Sequence, residues 1–74
     1  MGYNRRVETL ADGLMREISR VRDVVMPTYL KIGDAGTFAL AFMRRDLDAA
    51  VKALAEHDAV ACLRLYEALK GYHT

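Results

Sequence analysis

The chain predicts an all-α protein of three helices, and three observations carry that prediction. About half of its 74 residues are apolar (53%), enough for a packed core, and Ala and Leu dominate that set over β-branched and aromatic residues. Proline, which all-β folds use freely in turns, occurs once, at Pro27. Apolar residues recur at helical spacing in three successive stretches. The expected architecture is a three-helix bundle, or a helical hairpin with a third helix, its first helix kinked or broken near Pro27. Residues 1–74 are expected to form a single domain.

The first helix is the most regular. Val7, Ala11, Leu14, Ile18, Val21 and Val25 alternate by four and three, a heptad seam that Leu10, Met15 and Val24 widen. Thr9, Asp12, Arg16, Ser19, Arg20 and Asp23 fall on the opposite face, with Gly13 on that polar side. Asn4 can cap the start, and Thr9 with Asp12 provides a second start. Pro27 lacks an N–H and disfavours α geometry at Met26, and the seam slips out of phase at Tyr29, Leu30 and Ile32. One further turn then reaches Lys31 and stops at Gly33, a residue suited to the left-handed position after a helix.

The second helix is expected to begin at Asp34 or Thr37, both competent N-caps. Leu40, Met43, Leu47, Ala50, Val51 and Leu54 form its core stripe, Phe38 and Phe42 a flank, and Arg44, Asp48, Lys52 and Glu56 a solvent ladder at i, i+4 spacing. Beyond Glu56 the stripe would put Asp58 on the core line, so Asp58 reads better as the N-cap of a third helix from Ala59 to Lys70 that ends at Gly71. No Gly or Pro separates Glu56 from Ala59, so one long bent helix is the alternative. The third helix is apolar nearly all round, a pattern typical of helices buried on two sides.

Charge and composition narrow the function classes. Eleven basic and ten acidic side chains leave a formal charge of +1, which is not the field of a strong nucleic-acid binder. No secretory signal or membrane-length apolar run is visible, and the single cysteine, Cys62, fits a reducing compartment; the expected location is cytoplasmic. His57, Asp58, Cys62 and His73 lack zinc-ligand spacing, so no metal or other cofactor is expected. Cys62 lies among Ala61, Leu63 and Leu65, surroundings that blunt a thiol, and Ser19 is a lone serine on a polar face. Glu56, His57 and Asp58 read as a solvated turn. Gly33 to Thr37 reads as a connecting loop, because it lacks the GK[ST] of a phosphate loop and Asp34 repels phosphate. The chain is not expected to be an enzyme.

Binding remains. A core this small supplies only ~3–5 kcal/mol, and a disulfide within the chain is excluded, so self-association or docking on a larger protein is the open route to further stability. Cys62, Leu63, Tyr66, Leu69 and Tyr72 are the candidate protein interface, and a homodimer or a protein partner is expected. The expected role is a small non-catalytic helical protein-binding module: an adaptor, a regulator or an inhibitor of a larger complex. Short Ala- and Arg-rich helical proteins of bacteria, phages and plasmids are the class-level precedent. The alternative is a small DNA-binding regulator, with Arg5, Arg6, Arg16, Arg20, Arg44 and Arg45 as candidate nucleic-acid contacts. A weak helix-turn-helix spacing over Leu54 to Ala68 counts little, because Cys62, Leu63, Tyr66 and Leu69 give a recognition helix few polar groups for base edges.

Overall fold

The computed structural model describes residues 9–73, and every regular element among them is helical. Helix α1 (Leu10–Arg20) passes through a π turn (Val21–Val25) into α2 (Met26–Leu30) with no non-helical residue between. A 3-10 turn (Gly33–Gly36) leads into α3 (Thr37–Ala55), and α4 (Ala59–Lys70) follows after a short turn. The chain therefore folds as three helical rods, the first being residues 10–30.

The start of α1 is a reciprocal cap. Thr9 Oγ1 accepts from the Asp12 N–H at 3.0 Å, and Asp12 Oδ2 accepts from the Thr9 N–H at 3.3 Å. The other candidate start, at Asn4, lies outside the described residues, as does the seam position Val7. Pro27 does not end the helix. The disturbance lies in the turn before it, where the Met26 N–H reaches back five residues to the Val21 carbonyl. A π turn holds one more residue than an α turn, and the wider loop relieves the clash between a proline ring and the carbonyl four residues earlier. It also accounts for the slipped seam. The regular continuation from Val21 and Val25 is Thr28, yet Thr28 is exposed and Tyr29 packs on the core.

The rod ends as the sequence predicts, with Gly33 at φ +66°. The predicted caps of the second helix do not form. Its N-cap is Gly36, without a side-chain hydrogen bond; Thr37 is already helical and Asp34 lies inside the 3-10 turn. The turn replaces the cap, because the Asp34 carbonyl accepts from the Thr37 N–H, a donor otherwise left to a side chain. Gly36 is buried where an added Cβ would stand 2.6 Å from the Tyr29 carbonyl oxygen.

The alternative of one long helix over α3 and α4 is resolved in favour of two. The Asp58 N–H bonds the Ala53 carbonyl at 3.0 Å and the His57 N–H bonds that of Leu54 at 3.2 Å, the two bonds of a Schellman stop. His57 takes the left-handed position at φ 54°, normally glycine's, and Asp58 then caps α4 by accepting from the Ala61 N–H at 3.1 Å. His57→Gly is expected to stabilise the protein by about 1 kcal/mol by removing the penalty on a side chain at that φ, read as a higher thermal midpoint.

Leu14, Val21, Val25, Met43 and Leu69 are sealed from solvent, and Ile18, Leu47, Ala50, Ala53, Cys62 and Leu65 complete the core. Each rod buries one face. On α3 the stripe runs through Met43, Leu47, Ala50 and Ala53, with Leu40 and Leu54 half-buried; Val51, assigned to the stripe from sequence, is 57% exposed, because it lies one turn past Leu47 at the outer edge of the stripe, on the side away from Ala53. On α4 only Cys62, Leu65 and Leu69 are buried, so this helix is covered on one side and not two. On the first rod, Met15 in α1 and Val24 in the π turn are exposed and do not widen the seam. Gly13, placed on the polar side from sequence, is buried beneath Tyr66, whose Cε1 would lie 3.2 Å from an added Cβ.

The end of α4 is fastened at three points. Arg20 donates from Nη2 to the Leu69 carbonyl at 2.9 Å, Tyr72 from its hydroxyl to Asp46 Oδ2 at 2.8 Å, and Tyr29 from its hydroxyl to the His73 carbonyl at 3.4 Å. The fastening at Asp46 sets the chain's end level with the middle of α3. The turns of α3 before Asp46 extend past the end of α4 and pack on α2.

Candidate functional site

The five residues named as an interface on α4 and after it separate into two groups. Cys62 and Leu69 are part of the chain's own core, Leu69 fully enclosed and Cys62 nearly so. Both share the buried face with Leu65, a spacing that marks core as well as interface, so composition alone did not separate the two. Tyr66 is half-buried over Gly13, with the Lys70 ammonium 5.1 Å from its ring centre, and Tyr72 is half-buried at its bond to Asp46. Leu63 is exposed at 54%, and Val60, one turn earlier, is exposed beside it in sequence.

Burial and the hydrogen bond to Asp46 push the Tyr72 hydroxyl up to about 12 from the ordinary tyrosine value of 10.0. The folded state then holds its proton where the unfolded state has lost it. The stabilising contribution is complete below pH 10 and is lost as pH rises through about 12. One of the four tyrosines is expected to titrate late in a near-ultraviolet tyrosinate titration, and Tyr72→Phe is expected to remove that late phase.

Among the described residues, three of the four candidate nucleic-acid contacts, Arg16, Arg20 and Arg45, stand beside acidic groups. Arg5 and Arg6 lie outside the described residues. Arg20 is used internally, donating from Nε to Glu17 Oε1 at 2.9 Å while holding the Leu69 carbonyl. Glu17 is itself buried, and Arg16 Nε lies 4.0 Å from its other oxygen. Arg22 grips Asp23 through two bonds of 2.8 and 3.1 Å, and that hydrogen bonding holds the Asp23 carboxyl below the usual range. Arg44 is exposed, and Arg45 stands 3.5 Å from Asp46 with its guanidinium 5.0 Å above the Phe42 ring. Acidic neighbours thus accompany Arg16, Arg20, Arg22 and Arg45.

The first turns of α3 carry the site that sequence reading underrated. Phe38 is 80% exposed and Phe42 about half, with Leu30 and Ile32 exposed just before them in the chain. The signal was present in the sequence: Phe38 and Phe42 are four apart and stand off the Met43–Leu47–Ala50 stripe. The reading that the two pack together on one flank says nothing of what would cover them, and the structure leaves both exposed.

Other features offer less. An apolar cleft of about 210 Å³ lies among Leu10, Ala11, Leu54, His57, Ala59 and Cys62, and a polar groove of about 240 Å³ between α3 and α4, both under the roughly 300 Å³ typical of ligand pockets. Among the described residues no three potential ligands gather around a metal position, and no helix is long and apolar enough to cross a membrane. Comparison with protein-family models, with characterised proteins and with solved structures returns no match for this chain.

Proposed function

We propose that the chain is a small non-catalytic helical protein-binding module, an adaptor, regulator or inhibitor of a larger protein or complex, built as a three-helix bundle. The observation that supports this reading is the exposed Phe38, followed one turn later by Phe42 and preceded by Leu30 and Ile32. Aromatic side chains carry much of the energy of protein interfaces, and an isolated chain gains nothing by leaving a phenylalanine four-fifths in water. Leu63 and Val60 on α4 offer a second, smaller apolar surface. The paired arginines weigh against the DNA-binding alternative.

The test is capture on the tagged full chain with and without nuclease, comparing wild type with Phe38→Asp. A stoichiometric protein retained under nuclease and lost with Phe38→Asp supports the reading; a catch released by nuclease favours nucleic acid and overturns it. Leu63→Asp serves as a control on the other surface. It is expected to stay folded with unchanged helical circular dichroism, because Leu63 is already in solvent.

A further inference from the structure

We infer that the occupant of the α3 surface is a second copy of this chain, laid antiparallel along the first turns of α3. This rests on the binding-module reading and specifies its partner. The residues that carry it are Asp34, Phe38, Phe42 and Arg45, spaced by four, four and three, which places them along one side of the 3-10 turn and the helix it opens into. All four are exposed. Read from the amino end, the stripe is acidic, aromatic, aromatic and basic.

Such a stripe is its own complement when reversed. A two-fold axis near Leu40 sets Phe38 against Phe42 of the second copy, and Phe42 against its Phe38. The same operation brings Asp34 to within one residue of the level of Arg45 across the axis, twice. A closed two-fold pairing requires this self-matching, and a stripe with one sign of charge at both ends would repel itself. Arg45 is already held over the Phe42 ring, 5.0 Å from its centre, so its charge sits at the edge of the aromatic pair and needs little rearrangement to meet a carboxylate. Asp46, beside it, accepts from the Tyr72 hydroxyl through Oδ2 and stands 3.5 Å from Arg45 Nε through Oδ1; its side chain is 13% exposed against 67% for Arg45, so the group that end of the stripe presents to solvent is the guanidinium. Leu30 and Ile32, at and just after the end of the first rod, are exposed a few residues before the stripe in the chain.

The experiment is sedimentation equilibrium of the full chain over a dilution series, for wild type, Asp34→Lys, Arg45→Glu and an equimolar mixture of the two variants. Wild type is expected to dimerise. Each single variant places like charges opposite one another at two points and is expected to self-associate at least about tenfold more weakly. The mixture is expected to recover wild-type affinity, because the lysine of one chain then meets the glutamate of the other, and Asp34 meets Arg45 as before. Both substitutions are on the surface, and recovery on mixing would itself show that both variants are folded. A wild type that stays monomeric at every concentration overturns the inference. So does a dimer indifferent to both reversals, or variants that mixing does not rescue. Failure by any of these routes leaves the binding-module reading to the Phe38-dependent capture described above, so the two fail separately.

Discussion

Leu14→Asp is expected to abolish folding, with the far-ultraviolet helical signal lost at room temperature. Leu14 is fully enclosed in the core that α1 shares with the other two rods. An aspartate there would be a charge without a partner, or a protonated acid with unmet hydrogen bonds, and either state costs several kcal/mol. The lost leucine packing adds ~2–5 kcal/mol. A domain of this size has ~3–5 kcal/mol in total, so the substitution exceeds what the fold can bear. The comparison with Leu63→Asp makes the test specific: the same exchange on α4's outer side should leave the circular dichroism intact. Retention of helix in Leu14→Asp would mean that the core is not where the structure places it.

Gly36→Val is expected to destabilise by ~2–3 kcal/mol or more, seen as a lower urea midpoint at unchanged slope. The reason is contact. A Cβ at Gly36 would stand 2.6 Å from the Tyr29 carbonyl oxygen and 3.1 Å from Ile32 Cγ1, and main-chain oxygen cannot swing aside as the end of a side chain can. The α2–α3 corner would have to open, taking with it the packing of α3 on the first rod. Gly33→Ala supplies the contrast. Gly33 has a positive φ of 66° but no heavy atom within 4 Å of an added Cβ, so only backbone strain of ~1–2 kcal/mol should appear. Equal losses at both positions would argue against the close approach at Gly36.

What the sequence made legible follows from how each signal arises. Helix starts set by side-chain chemistry were readable: the Thr9–Asp12 pair and the Asp58 cap both occur, because a short polar side chain beside free N–H groups has few better options. Gly33 was readable as a stop for a similar reason. The start of α3 was not, because a 3-10 turn satisfies its first donors with backbone alone and leaves no mark in residue type. The α3–α4 turn was legible from Asp58, but His57 left one long helix open as the alternative, since the left-handed position there lacks its usual glycine. Burial on α4 was overestimated because apolar content does not say how many neighbours a helix has. Gly13 was misplaced because its role depends on Tyr66, fifty-three positions away, and no local pattern carries that pairing. Arg20 was offered to nucleic acid for a related reason: its carbonyl partner on Leu69 exists only once α1 and α4 meet.

The wide turn at Val21–Val25 has the geometry of a single-residue insertion that the helix absorbed without a loop. It works as a splice. Residues before it and residues after it keep their own faces, although the count between them is one too many for a continuous α-helix. This makes the stretch the one place in the first rod where chain length can change by one residue without turning the rest of the rod away from the core. Removing a residue from α3 would rotate every later side chain by about 100° and send Ala50 and Ala53 toward solvent. Removing one from the wide turn would merely close it to an ordinary α turn, leaving Tyr29 in place. Pro27 sets the condition, because its ring needs the space the extra residue opens; the shortened helix would tolerate the loss only with Pro27 exchanged for a residue such as alanine. Helix length and proline are therefore tied at this point, and a one-residue deletion paired with Pro27→Ala should preserve a fold that the same deletion made inside α3 would scramble.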